Sequence, residues 1–153
     1  PSEQRAYEIG RLLGVEADST ETVTYWRVQG GDGSNRSQDR IVINPDGTIR
    51  VTNPDKNLNI SARTDEHASY FLDKRGSNAY IVEFEVPKWF DDFLNEYVID
   101  QKDATTNPNN MGGMAPKRVD PNRPGFAYEL PPPWIEWLEE YALNAKIVKG
   151  GAS

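Results

Sequence analysis

The sequence has no cysteine and only one histidine, His67, among its 153 residues. The absence of cysteine excludes a disulfide scaffold and any cysteine-ligated metal site. A single histidine excludes a histidine-rich metal site and any mechanism that needs two histidines. The sequence also has no run of about 20 apolar residues, which is the length that a membrane-spanning helix requires.

Positive charge is scarce as well. Lys and Arg total 17 against 24 Asp and Glu, which gives a net charge of −7. This balance argues against nonspecific binding to nucleic acid or to an anionic membrane, although a local basic patch could survive it. No basic segment followed by an apolar stretch opens the sequence, so we expect no signal peptide here. Because Pro1 stands where a Met would, we expect a processed or excised piece of a longer protein.

Aromatic residues are plentiful, with 4 Trp, 7 Tyr and 5 Phe. They supply enough large apolar side chains for a core. The length suits one domain that buries about 68–70% of its unfolded surface. We therefore expect a single domain over residues 1–153, with a helical lead-in over residues 1–20 and a flexible Gly-Gly-Ala-Ser tail.

Sequence periodicity predicts the order of the elements. Alternation and turn residues predict short strands at 22–29, 40–44, 48–52, 57–61, 80–86 and 126–130. Helical spacing of apolar residues predicts helices at 3–13, 64–76, 87–98 and 134–142, with Thr64 as the N-cap of the second. Residues 102–125 lack periodicity, and we expect a long functional loop there. The pattern predicts an α+β domain with two small, roughly perpendicular antiparallel sheets and a cleft between them.

Arg27 is the first residue that suggests chemistry. It lies near the end of an otherwise apolar strand and is followed closely by Gly30 and Gly31. An Arg that points into a cleft suits a diphosphate, because its planar fork of donors matches phosphate oxygens. The alternative is an Arg on an edge strand, exposed to solvent.

Four further polar positions lie in the middle of the chain. Ser61 ends a strand just before a helix, where its hydroxyl can cap the helix or hold a phosphate or amide group. His67 lies in the first turn of that helix, and we expect it to be a partly buried polar contact. Tyr70 and Tyr80 could hold a planar ring between them, or both could belong to the core.

Glu129 is the carboxylate that we select as catalytic, because it follows the long loop on a short strand of otherwise apolar residues. Glu83 and Glu85 are alternatives on a strand that we expect to be half-exposed. Glu136, Glu139 and Glu140 lie on the last helix, and we expect them on its solvent-facing side. Gln101, at a helix end before the long loop, is a minor candidate. We expect Arg27, Ser61 and Glu129 to converge on one cleft.

The long loop carries a basic cluster, Lys117, Arg118 and Arg123, beside Met111 and Met114. Exposed cations could steer an acidic partner, and flexible Met side chains could adapt to an apolar patch on it. The alternative is a loop whose charges are simply solvated.

The order of Arg27, Ser61 and Glu129 resembles the Arg–Ser–Glu arrangement of ADP-ribosyltransferases. More specifically, the chain resembles the C-terminal toxin domains of bacterial Rhs and related polymorphic toxins, above all the Rhs toxins that modify elongation factor Tu. The resemblance spans residues 22–145 and rests on Tyr-Trp-Arg-Val-Gln-Gly-Gly (25–31), Leu-Asn-Ile-Ser (58–61), His-Ala-Ser-Tyr-Phe-Leu (67–72), Ile-Val-Glu-Phe-Glu-Val-Pro-Lys-Trp-Phe (81–90) and Phe-Ala-Tyr-Glu-Leu-Pro-Pro-Pro-Trp (126–134).

The resemblance implies an ADP-ribosyltransferase-like fold and mono-ADP-ribosyltransferase activity with NAD as co-substrate. It implies that Arg27 holds the NAD pyrophosphate, that Ser61 supports the nicotinamide ribose or the nicotinamide pocket, that Gly30 belongs to the cofactor-binding residues, and that Tyr70 stacks near the nicotinamide. Glu129 would bind the ribose hydroxyls and favour the positive charge that develops as the nicotinamide bond breaks.

The resemblance also implies a biological setting. The chain would be the toxin of a secreted effector, delivered for example by type VI secretion, that acts in the cytoplasm of a target bacterium during interbacterial competition. It would be monomeric when free, would not bind membranes, and would be neutralised by a cognate immunity protein. Its macromolecular target would be a protein such as elongation factor Tu, whose modification inhibits translation, while a nucleic-acid target stays open.

Two departures from the family pattern leave alternatives open. Ala127 stands two residues before Glu129, where arginine-modifying members have Glu or Gln, so the acceptor is undetermined. Ser61 is followed by Ala-Arg rather than by the rest of a Ser-Thr-Ser run. An NAD glycohydrolase that transfers ADP-ribose to water, and a non-enzymatic binding module such as an immunity or adaptor protein, are the two other hypotheses.

Overall fold

Strands dominate the fold in the computed structural model, which describes residues 21–32, 39–120 and 125–150. The helix expected at 3–13 and the end of the Gly-Gly-Ala-Ser tail lie outside these residues. In chain order, the described elements are β1 (Thr22–Gly30), β2 (Ile41–Ile43), β3 (Ile49–Val51), β4 (Leu58–Ala62), α1 (Glu66–Arg75), β5 (Ala79–Pro87), α2 (Lys88–Tyr97), β6 (Ile99–Asp100), two 3-10 helices (Gln101–Thr106 and Pro108–Gly113), β7 (Lys117–Val119), β8 (Phe126–Leu130), α3 (Pro132–Tyr141) and β9 (Leu143–Gly150).

Seven of these strands form one mixed sheet in the order β6-β7-β8-β4-β1-β5-β9, and β2 and β3 form a separate hairpin. Neighbouring strands of the sheet are antiparallel except β6 and β7. The middle of the sheet is its narrowest connection. There β1 pairs with β4 only through Tyr25 with Ala62 and Trp26 with Ser61, whereas β1 pairs with β5 along its whole length.

The two faces of the sheet carry separate apolar clusters. On one face, Tyr25, Leu58 and Phe84 belong to the main core, which also contains the hairpin and the buried sides of α2 and α3. Aromatic rings fill that core, as in the contact between Trp89 and Tyr141, whose centroids are 4.7 Å apart. On the other face, α1 packs on a smaller cluster whose buried members are Val28, Ala68, Ala79 and Ile81.

The α+β class is confirmed, as are the hairpin and the three helices predicted beyond residue 60. The sheet arrangement differs from the expectation, because seven strands share one sheet and only the hairpin stands apart. The segment expected to be one long loop contains two 3-10 helices and β7. Asp65, not Thr64, precedes the first helical residue of α1, although the Thr64 hydroxyl accepts a 3.4 Å hydrogen bond from the Glu66 amide.

The sequence analysis missed β9 altogether. Its side chains from Lys146 to Val148 are all exposed, so the strand has no clean alternation for a sequence pattern to reveal. Pairing with β5, interrupted by two irregularities in register, is what makes it a strand. Among the described helices, none is long and apolar enough to cross a membrane.

The fully buried Phe84 provides a test of the main core. Its ring lies 5.9 Å from that of Tyr25, at right angles to it. We expect Phe84→Ala to lower the free energy of unfolding by about 3–5 kcal/mol, because it removes a large buried side chain and leaves a cavity. Ile147→Ala on β9, at a side chain that is 58% exposed, should change it by less than about 0.5 kcal/mol. Urea denaturation of both variants measures the difference, and equal losses would contradict this assignment of the core.

Candidate functional site

A cleft of about 150 Å³ opens where β1 and β4 stop pairing. Residues from both strands, from α1 and from the end of β7 surround it. Its lining consists of Arg27, Val28, Asn59, Ile60, Ser61, His67, Phe71, Arg75 and Asp120. Alternation along β1 directs Arg27 to the face opposite Trp26 and its partner Ser61, yet both Arg27 and Ser61 line the cleft. This is possible because the sheet is open between the two strands at this point.

Arg27 spans the opening between the strands. Its Nη1 donates a 2.8 Å hydrogen bond to the Asn59 carbonyl on β4, and its Nε donates a 3.0 Å bond to the Gln29 side chain. Burial, together with the nearby positive charges of Arg40 and Arg75, lowers the pKa of Arg27 to about 10. Arg27 therefore stays protonated at neutral pH, in a half-buried cleft where positive charges crowd together. An anion entering the cleft would relieve that repulsion.

Ser61, His67 and Asp120 form a continuous chain of hydrogen bonds on the other side of the cleft. Ser61 Oγ lies 2.8 Å from His67 Nδ1, and His67 Nε2 lies 2.9 Å from Asp120 Oδ2. Ser61 and His67 are 3% and 7% exposed, while the Asp120 side chain is 39% exposed. The Phe71 ring packs against the imidazole with a centroid distance of 4.9 Å.

The sequence analysis missed Asp120, and the sequence contains little that points to it. It is separated from His67 by 53 positions and lies in the segment without periodicity. Its backbone has a φ of 54°, a left-handed conformation that Asp tolerates better than most residues. Only the pairing of β7 with β8, and of β8 with β4, brings this carboxylate to the histidine.

Glu129 lies beside the cleft rather than in its lining. On β8 it is paired directly with Asn59, so both side chains project from the same face as Ser61. Asn57 donates a 2.9 Å hydrogen bond to one carboxylate oxygen, and Gln101 donates a 3.1 Å bond to the other. The carboxylate is therefore held in a fixed orientation next to Asn59, a residue that lines the cleft.

The other two residues assigned to cofactor binding are not among the residues that line the cleft. The Tyr70 ring packs edge-on against Phe71 at 5.2 Å, with the Lys74 ammonium 5.1 Å from its centre. Gly30 is buried with a φ of +72°, and a Cβ there would come within 2.7 Å of the Asn78 carbonyl oxygen. Close packing and backbone conformation thus account for this glycine. The Tyr80 hydroxyl donates a 2.9 Å hydrogen bond to Asp39. None of the described ring contacts joins Tyr80 to Tyr70.

The alternative carboxylates have structural partners. Glu83 accepts a 3.0 Å hydrogen bond from Trp26, and Glu85 accepts bonds from Thr22 and Asn144. Glu139 on α3 accepts a 2.8 Å hydrogen bond from the Val51 amide and so joins the helix to the hairpin.

The basic cluster is less exposed than expected. Lys117 is only 8% exposed, and its ammonium donates to the carbonyls of Gly113 and Ala115, so it holds the 3-10 segment and is not a docking residue. Arg118 forms a 3.1 Å ion pair with Asp100. Arg123 and the Met111 side chain lie outside the described part of the chain. Met114 is 46% exposed, so its side chain is accessible to a partner, as we expected for this segment.

A second concave region lies on the other side of the β1–β4 junction. It has a volume of about 330 Å³, and its lining includes Tyr25, Arg63 and Asp91. Tyr25 donates a 2.7 Å hydrogen bond to Asp91, and burial raises the pKa of both groups. Because the two side chains satisfy each other, we assign them to the attachment of α2 to the sheet.

No family model matches the chain, and neither a curated protein nor a solved structure is significantly similar to it. Within residues 21–32, 39–120 and 125–150, no group of three or more Asp, Glu and His side chains is arranged to hold a metal ion. The side chains of the cleft, with their cations and their hydroxyl–imidazole–carboxylate chain, therefore carry the functional argument.

The cationic side of the cleft leads to a binding prediction. Wild-type protein should bind inorganic pyrophosphate, and Arg27→Gln should bind it about 10- to 100-fold more weakly, because one hydrogen bond to a charged group contributes about 1.5–3 kcal/mol. Arg50→Gln, at an exposed position of β3, is the matched control and should bind like wild type. Isothermal titration calorimetry at low salt makes the measurement. Equal affinity of the three proteins would show that Arg27 does not hold the anion.

Proposed function

We propose that this chain is an NAD-dependent mono-ADP-ribosyltransferase. The observation that carries the proposal is that Arg27 and Ser61, on two different strands, line a single cleft where those strands part. In the resemblance described above, these two residues hold the pyrophosphate and the nicotinamide half of NAD. On this view β9-β5-β1 and β4-β8-β7-β6 correspond to the two small sheets of an ADP-ribosyltransferase-like fold, with NAD between them.

Charge supports a dinucleotide as the ligand. A pyrophosphate carries two negative charges, and the cleft presents Arg27 and Arg75 with Arg40 close behind them. A guanidinium already fixed at Nη1 and Nε is pre-organised, so less side-chain entropy is lost when it binds phosphate oxygens.

Glu129 supplies the electrostatic part of the mechanism. It lies on the strand next to β4, with its carboxylate oriented by Asn57 and Gln101. A fixed negative charge there would bind ribose hydroxyls and favour the oxocarbenium-like charge on the ribose as nicotinamide leaves. We propose that NAD takes the place of one of the two amide donors when it binds.

The proposed acceptor and setting follow from the same resemblance. We propose a macromolecular acceptor such as elongation factor Tu, action as an antibacterial effector in the cytoplasm of a target cell, and neutralisation by an immunity protein. We propose that such partners meet the chain at a different place from the basic cluster of the long loop. Met114 lies by Pro132 and Pro133 in a shallow apolar region with Asp55 and Glu136 at its edge, so a partner there would be basic.

Replacement of Glu129 tests the proposed chemistry. We expect Glu129→Gln, which keeps the shape and removes the charge, to lower the rate of NAD cleavage by about 10²- to 10³-fold. The affinity for NAD should change little, because the carboxylate acts mainly in the transition state. The matched control is Glu96→Gln, an exposed carboxylate on α2. The measurement is incubation with labelled NAD and bacterial lysate, followed by analysis of protein bands and of free ADP-ribose.

The outcomes separate the hypotheses. Label on one protein band with the wild type and the Glu96 variant, but not with Glu129→Gln, supports the transferase. Free ADP-ribose without a labelled band indicates an NAD glycohydrolase. No consumption of NAD by the wild type would refute both activities and favour a binding module.

A further inference from the structure

The hydrogen-bonded chain Ser61–His67–Asp120 has an element that NAD binding does not require. A hydroxyl that merely holds a ribose or an amide needs no imidazole behind it, and an imidazole that merely fills space needs no carboxylate. Here all three are connected at 2.8 and 2.9 Å, and all three line the cleft.

We propose that the hydrogen-bonded residues Ser61, His67 and Asp120 take up the proton of the acceptor, and that the acceptor group is a hydroxyl. The inference rests on the proposed ADP-ribosyl transfer. Ser61 is the group that touches the acceptor, while His67 and Asp120 are positioning residues that act through it.

The direction of the hydrogen bonds follows from the chemistry of the three groups. A carboxylate only accepts, so Asp120 requires a proton on His67 Nε2. In the neutral imidazole Nδ1 is then an acceptor, and Ser61 must donate its hydroxyl hydrogen to it. The lone pairs of Ser61 Oγ are left to accept a hydrogen bond from a group in the cleft. A hydroxyl on an incoming acceptor supplies that donor.

The proton and electron balance of the transfer step is complete with these groups. The acceptor oxygen forms a bond to C1′ of the nicotinamide ribose while the C1′–N bond breaks, and nicotinamide leaves as a neutral molecule with the bonding pair. The acceptor proton passes to Ser61 Oγ as the Ser61 proton passes to His67 Nδ1. Asp120 stabilises the imidazolium that results.

The need to give up a proton selects the class of acceptor. A guanidinium acceptor stays protonated in proteins and does not give its proton to an imidazole, and Ala127 offers no carboxylate to orient it. A carboxylate acceptor carries no proton to remove, so its reaction would not use the proton path through Ser61 and His67. A neutral hydroxyl avoids both problems, whether it belongs to water or to a larger molecule.

The charged groups around His67 are known from the structure. Asp120 contacts it from the end of β7, Arg27 on β1 and Arg75 on α1 share its cleft, and Asp65 and Glu66 adjoin it in sequence. Asp120 is hydrogen-bonded directly to the ring. Replacement of Asp120 is therefore the most direct test of these hydrogen bonds after replacement of His67 itself.

The test measures NAD cleavage by the whole protein in buffered water with added methanol, from about pH 5 to 9. Wild type should form ADP-ribose from water and methyl ADP-ribose from methanol, and its rate should fall toward acid pH, because a proton acceptor that is already protonated cannot take up the proton of the attacking hydroxyl. His67→Asn should cleave NAD about 10²-fold more slowly and lose this acid limb. Asp120→Asn should show a smaller loss, and Asp73→Asn, exposed on α1, should behave as wild type.

Azide separates a proton acceptor from a merely structural histidine. It attacks C1′ without losing a proton, so it should restore nicotinamide release by His67→Asn and yield ADP-ribosyl azide. Pyrophosphate binding and thermal unfolding of the variant show whether the cleft is still formed. A His67→Asn protein that binds pyrophosphate but keeps the acid limb, or that azide does not rescue, overturns the inference and leaves the transferase proposal standing. Wild type that cleaves no NAD overturns both.

Discussion

The contact on which this structure depends is the short pairing of β1 with β4, Tyr25 with Ala62 and Trp26 with Ser61. It joins a half-sheet of β9, β5 and β1 to a half-sheet of β4, β8, β7 and β6. A longer pairing would close the sheet and remove the cleft. The large core on one face, with Tyr25 and Phe84 among its fully buried members, holds the two halves together in place of a longer ladder.

The end of that pairing explains why polar groups collect where they do. Backbone groups at the ends of a ladder need other partners, since an unpaired buried carbonyl or amide is costly. Arg27 donates a hydrogen bond to the Asn59 carbonyl, and this bond places its guanidinium in the opening. Ser61 makes the last pair of the junction, so its side chain stands at the edge of the same opening. The site is thus a direct product of how the sheet divides.

Sequence reasoning recovered the features that have a local signal. The alternation in β5 was visible because Val82, Phe84 and Val86 face the main core, and the spacing of Trp89, Phe90, Phe93 and Leu94 revealed α2 because that stripe faces the same core. Features set by distant contacts were missed. The strand β9 exists through pairing with β5, the burial of Lys117 comes from carbonyls of the preceding 3-10 segment, and Asp120 reaches His67 across three strands. The exclusion of Tyr70 and Gly30 from the cleft lining likewise depends on packing that no spacing rule contains.

The divided sheet also has a consequence for folding. Arg27 comes from one half of the sheet, whereas Ser61 and Glu129 come from the other, and the pairing of β7 with β8 brings Asp120 to them. These residues are far apart in sequence, so bringing them together costs loop-closure entropy. Neither half of the sheet alone contains a complete cleft. Whatever chemistry the cleft performs therefore requires that both halves have folded and paired with each other.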